Sequence, residues 1–352
     1  MTVMPDTIEQ AISAGWLSEA IGERHPGVQV TAVDVVDVVN AVAARAFIGV
    51  AYEGGEGLPE RLFVKGGFAP DTAHLLAGGA YYREARFYRD LADALHVGMP
   101  RCLHASFEED SRQGVVVLED LIAARGQLYR LGDIHDIDQA RSFVDELARL
   151  HGRSFRLMRE RGDLGWIPGT STVVPRLVKN DPLKLLTAHI AEERGQVIPE
   201  HLRDPELILA MLMKLMAVAD GEADFILHGD MHLGNIFSDA DGRAGWYDWQ
   251  TIQRGSWAMD FAYYVTGALE PAVLDEHRDE LLRRYLRRLA ASGGPTIPFD
   301  DAFLSYRRYL AYGLFIWIAA RASIVPVEIT AKMVARFAHA ADGVDMVGAF
   351  GD

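Results

Sequence analysis

The chain has 352 residues, 49% hydrophobic and 24% charged, with 35 Lys+Arg against 50 Asp+Glu and a net charge of −15. This is globular composition with enough chain for two cores, and its acidity argues against a nucleic-acid backbone or an anionic membrane as the main partner. A single cysteine, Cys102, excludes an internal disulfide, a Cys-rich zinc site and a CxxC redox motif.

The first residues, MTVMPDTIEQ, lack a basic segment followed by an apolar one. No secretory signal is expected, and a reducing cytoplasmic setting fits the lone thiol. Residues 1–27 are expected to form an N-terminal helical segment. Val28–Val39 and Val42–Tyr52 are β-branched and apolar and predict two strands, the second running into the turn EGGEG. RLFVK, Arg61–Lys65, predicts a third, after which Gly66, Gly67 and Pro70 break the chain. Ala80–Leu95 has helical period, with Tyr81, Ala85, Tyr88 and Leu95 near one face. Arg101–Phe107 and Gly114–Leu118 predict two more strands joined by EEDSRQ.

Beyond Glu119-Asp120 the pattern turns helical. Asp136–Arg161 and Pro205–Asp220 read as helices. A small β insert follows, Phe225–Leu227, Asn235–Ser238 and Ala244–Asp248. From Phe261 the chain is helical, broken at Gly293-Gly294-Pro295 and near Pro326. Its most apolar run, Tyr309–Ala320, is too short to span a bilayer. The expected class is α+β: a small mixed lobe over 28–118, a linker over 119–127 and a large helical lobe over 128–352.

The chemistry concentrates in ILHGDMHLGNIFSDADGRAGWYDWQTIQRGSWAMD, residues 226–260. Asp230 is followed by Asn235 and then by Asp248 on the returning hairpin. Phosphoryl transfer needs one carboxylate to orient the attacking hydroxyl and take its proton. It also needs an amide oxygen and a second carboxylate to hold Mg²⁺ against nucleotide phosphates. Asp and Asn oxygens are hard ligands suited to that ion.

HGDxxxxN has the spacing of the protein-kinase HRDLxxxN loop, with Gly in place of Arg. With the following strand that ends in Asp-Trp, it resembles the aminoglycoside phosphotransferase and choline-kinase-like family, nearest its ecdysteroid-kinase-like members. The likeness is strong over 226–260 and runs weakly from about 28 to 340. It implies a bilobal protein-kinase-like fold, ATP with GTP as the alternative, Mg²⁺, and a small-molecule hydroxyl acceptor. Carried over, Asp230 is the catalytic base, Asn235 and Asp248 are metal ligands, His228 braces the loop and Asp260 anchors it from beneath. Lys65 and Glu84 are expected as the cation on the phosphates and its helix partner, each exposed to water on its own. Glu119 and Leu121 are expected to present backbone groups to the nucleobase.

His232 reads as a packing or loop residue and His151 as structural. Arg83 and Arg86 flank Glu84 as competitors for it. In the aromatic cluster around the hairpin, Trp249 is the residue expected to line a pocket. Where many kinases cover the phosphates with a Gly-rich hairpin, this chain has no glycine from Asn40 to Phe47, and Arg45 there reads as a strand-face cation. No GxxxxGK[ST] is present. Three other classes share parts of this pattern. A nucleotide-binding pseudokinase or regulatory module without transfer stays open. A metallophosphatase lacks its GNH[ED] and GHxH motifs, and a protein kinase lacks DFG and APE. The acceptor also stays open, between a cationic aminoglycoside or choline-like compound and an apolar alcohol such as a steroid or polyketide. So does the oligomeric state.

Overall fold

The computed structural model describes residues 2–40, 44–68, 79–177 and 181–351. Pro70 and positions 41–43 of the Gly-poor hairpin lie outside them. The chain separates into two compact units, Met1–Leu128 with Phe237–Ile252, and Tyr129–Ile236 with Gln253–Asp352.

The first unit is built on an antiparallel sheet of β1 (Gln29–Asn40), β2 (Ala44–Glu53), β3 (Arg61–Gly66), β4 (Cys102–Phe107) and β5 (Gly114–Glu119), in the order β1-β2-β3-β5-β4. Strict alternation decides its two faces. Ala44, Ala46, Ile48 and Val50 of β2, Leu62 and Val64 of β3, and Val115 and Val117 of β5 turn to a core closed by Leu17 and Ile21. Those last two lie on the helix Ala14–Gly22, which Ser13 caps through its hydroxyl. The same alternation sends Arg45 and Phe47, and opposite them Lys65 and Phe63, to the other face, where the two phenyl rings lie 5.0 Å apart.

The expected helix over Ala80–Leu95 forms as Ala80–Asp90 and Ala92–Leu95, because Leu91 leaves helical geometry at φ −129°. Gly114 lets the first of these sit directly on β5: a Cβ there would lie 2.2 Å from the Tyr81 carbonyl oxygen. The unit is completed from far downstream. β6 (Gln127–Leu128) pairs with β8 (Ile236–Ser238), beside which runs β9 (Ala244–Trp246), and the single turn Trp249–Thr251 follows.

The second unit is helical. Ile137–Glu160 starts at a reciprocal cap between Asp136 and Gln139 and is tied to Pro271–Ala291 by Asp145, which accepts from Arg284 at 2.7 and 2.9 Å. Trp257–Ala268 is buried at every residue. Phe299–Ala319 and Val327–Gly343 complete the expected C-terminal helices, broken where the Gly-Gly-Pro segment and Pro326 stand. Pattern reading missed three helices, Thr170–Leu177, Pro182–Ile190 and Glu193–Gln196, and the pairing of β7 (Phe225–Leu227) with β10 (Gln253–Gly255). Among the described residues no helix is long and apolar enough to cross a membrane.

Candidate active site

In the first unit Lys65 and Glu84 meet, and Asp248 joins them. The Lys65 ammonium lies 2.9 Å from one Glu84 oxygen and 2.8 Å from Asp248 Oδ1. The expectation that the pair is exposed is overturned. Lys65 is 7% and Glu84 2% exposed, because the lysine stem lies on the sheet and the glutamate on the helix that covers it. Burial alone would pull the Lys65 pKa down, but the Asp248 and Glu84 carboxylates outweigh it and hold the ammonium above its ordinary value. Glu84 is pushed up, first by burial. The Lys65 charge opposes that shift, and the second carboxylate at Asp248 adds to it.

Asp248 stands in left-handed geometry at φ 64°, a conformation Asp tolerates better than most residues. The helix Ala80–Asp90 grips the turn that follows. Glu84 accepts from the Trp249 N–H, and Arg83 donates to the Gln250 carbonyl at 2.9 and 3.2 Å. Phe87 stacks on Trp249 with centroids 3.8 Å apart and an interplanar angle of 13°. Arg83 is therefore engaged with the turn, and Arg86 goes to Asp90 and Glu109. Trp249 is fully buried in this packing and does not line the cavity.

That cavity, about 460 Å³, opens beside the trio. Its apolar walls include Phe47, Phe63 and Leu118, and its rim carries Glu119, Asp120 and Leu121. The rim's side chains are occupied. Glu119 accepts from the Arg101 N–H at 2.7 Å, and Asp120 from the Ile122 N–H at 2.9 Å. The Leu121 N–H has no partner among the described residues. Burial pushes the Tyr247 hydroxyl on the wall up to about 12.

The second unit holds the HGD loop. Asp260, 1% exposed, accepts the His228 N–H at 2.8 Å and the Gly229 N–H at 3.0 Å. Gly229 turns there at φ 82°, and Tyr312 donates to its carbonyl at 3.3 Å. His151 lies 3.4 Å from the Asp260 carboxylate with its other nitrogen 2.6 Å from the Tyr285 hydroxyl. The Asn235 amide nitrogen donates to the Asp230 carbonyl at 3.0 Å and to its carboxylate at 3.2 Å, which turns Oδ1 away and leaves it available as a ligand. His232, read from sequence as a packing residue, lies 3.4 Å from Asp230 Oδ2. Burial works to raise the Asp230 pKa, but His232, His228 and the Asn235 bond outweigh it, and the carboxyl is held below the ordinary range. The HxDxH spacing was the available signal for His232.

Two expected results follow from this geometry. Asp260→Ala removes two charge-assisted bonds to buried N–H groups, so a loss of about 3 kcal/mol is expected in chemical denaturation. Asp260→Asn, keeping one acceptor, should lose less. Lys65→Met strands two carboxylates, and breaking a buried pair costs about 3–5 kcal/mol. Without the cation Glu84 is raised further, so the folded variant binds more protons than its unfolded chain above the ordinary value of 4.5. Its stability must then fall as pH rises through that window, and the calorimetric deficit relative to wild type should be larger at alkaline than at mildly acidic pH. A deficit independent of pH would place the loss elsewhere.

Residues 178–293 match the ecdysteroid kinase-like family. No curated protein matches the chain. Among solved structures, the GDP and kanamycin complex of APH(2")-IIia is 11% identical over 93% of this chain and 97% of its own, with a TM-score of 0.50. The macrolide 2'-phosphotransferase MphH from Brachybacterium faecium is 15% identical over 89% and 96%, with a TM-score of 0.47. Choline kinase LicA from Streptococcus pneumoniae is 14% identical over 90% and 94%, with a TM-score of 0.46. At these identities the first likeness fixes the fold, which is the α+β protein-kinase-like fold.

Proposed function

We propose that the protein is an ATP-dependent small-molecule kinase that transfers the γ-phosphoryl group to a substrate hydroxyl. The observation that carries this reading is the Lys65–Glu84–Asp248 trio on the wall of a cavity whose rim offers a free backbone N–H at Leu121. An apolar slot ending in an unpaired backbone N–H suits a nucleobase, and a fixed ammonium suits the phosphates beyond it.

Each of the two proposed ligands offers Mg²⁺ a hard oxygen. Asp248 keeps Oδ2 outside its lysine contact, with its side chain 39% exposed, and Asn235 keeps Oδ1. One carboxylate and one amide oxygen, completed by water and phosphate, is a common arrangement for this ion. Among the described residues no three His, Cys, Asp or Glu side chains gather as a metal site, which disfavours the metallophosphatase reading. Bound Mg²⁺ would neutralise charge on the phosphates during transfer. The chain's own part is to orient and to move one proton. Asp230 accepts the hydroxyl proton on its carboxylate, Asn235 and His232 hold that carboxylate, and Asp260 fixes the backbone beneath it.

The test is a nucleotide-consumption screen, run with ATP and with GTP, against a library of hydroxyl compounds and read by the mass gain of one phosphate. Nucleotide binding without any phosphorylated product across that library would favour the regulatory alternative.

A further inference from the structure

We propose that Arg45 is a phosphate-binding residue of this protein. The inference rests on the kinase reading above and concerns the same cavity.

Among the described residues, Arg45 and Lys65 are the two basic ones on the cavity wall. They face each other directly across β2 and β3, so both side chains leave the sheet on one face. Next along that face is the Phe47–Phe63 pair, which also lines the cavity. The two cations differ in their commitments. Lys65 is locked between two carboxylates. Arg45 is exposed, and among the described residues it has no hydrogen-bond or carboxylate partner.

Charge makes the difference consequential. Formally Glu84 and Asp248 outnumber Lys65 by one charge, which burial of Glu84 reduces, and Asp120 and Glu119 on the same wall add negative charge. A polyphosphate entering this cavity meets a net acidic lining unless another cation takes part. Among the described residues Arg45 is the unpaired cation there, and a guanidinium fork matches phosphate oxygens two at a time. Like charges directly opposite on neighbouring strands repel, so an arginine that served only solubility would gain nothing from standing opposite Lys65 in a protein of net charge −15.

Calorimetric titration with ATP, ADP and adenosine, in the presence of Mg²⁺, separates the alternatives. Arg45→Gln is expected to weaken ATP about tenfold, the size of a charged hydrogen bond lost at a partly hydrated site, while adenosine affinity stays unchanged. Arg45→Lys should recover part of the loss, since it restores the charge without the fork. Added salt should reduce the wild-type preference for ATP over adenosine more than it does in Arg45→Gln. Arg45 is exposed, so thermal stability should match wild type in both variants. If ATP and adenosine shift together, or neither shifts, Arg45 is a solvated strand residue and the kinase reading stands. If the wild-type protein binds none of the three, both fall.

Discussion

Asp230→Asn should fold as the parent does and lose about 10²–10⁴-fold in turnover, the usual contribution of a general base. The amide can still accept from Asn235 and orient a hydroxyl, but it cannot take the proton. Mg²⁺-nucleotide affinity should be nearly unchanged, which separates a lost base from a collapsed loop. The comparison needs the acceptor found by the product screen, and near-parental turnover would remove Asp230 from this role. The electrostatics add a second expectation. Although burial opposes it, His232, His228 and the Asn235 bond hold the Asp230 carboxyl below its ordinary range, so it stays ionised and competent as pH falls through 6 and 5. An acid limb in the rate profile within that range must come from another group.

Asp248→Ala should cost the largest share of Mg²⁺-dependent nucleotide binding, on the order of a hundredfold. Residues one shell further out already cost 10–100-fold at metal sites. Asn235→Ala should cost less, since an amide brings a dipole where Asp248 brings a charge. The backbone complicates the alanine variant, because at φ 64° alanine is strained where aspartate is tolerated. Asp248→Asn keeps the turn and removes only the charge, so it is the cleaner variant. Calorimetry with a non-hydrolysable ATP analogue, with and without Mg²⁺, reads the effect. A Mg²⁺ increment in Asp248→Asn equal to that of wild type would rule out Asp248 as a ligand.

Much of this fold was legible from pattern. The short apolar runs in RLFVK and GVVVL announce strands, and the HGDMHLGN spacing announces a loop that holds Asp230 and Asn235 together. The resemblance also anticipated Asp260 beneath that loop, where its carboxylate accepts from two backbone N–H groups. What stayed hidden depends on neighbours distant in sequence. Lys65 and Glu84 look like ordinary surface charges until a helix seats itself over β4 and β5, a contact set by the bare Cα of Gly114. Trp249 looks like a pocket wall until Phe87 takes its face. His232 looks like loop filler because its distance to Asp230 depends on how the loop folds back. Arg45 shows its importance only through strand register, which sequence spacing does not fix.

The first unit takes its last pieces, Phe237–Ile252, from the far side of more than a hundred intervening residues. Lys65 and its second carboxylate are 183 positions apart in the chain. A ribosome emitting this protein therefore releases the sheet and the helix Ala80–Asp90 well before it makes Trp249, and Phe87 must wait uncovered. An excised 1–128 fragment would preserve that waiting state: apolar at Phe87, one carboxylate short at Lys65, and prone to self-association. Adding a synthetic 237–252 peptide to the fragment is then a natural way to complete it in trans. The same logic identifies Leu128 as a poor place to cut this chain for crystallisation or fusion, however clean a boundary it looks in the primary structure.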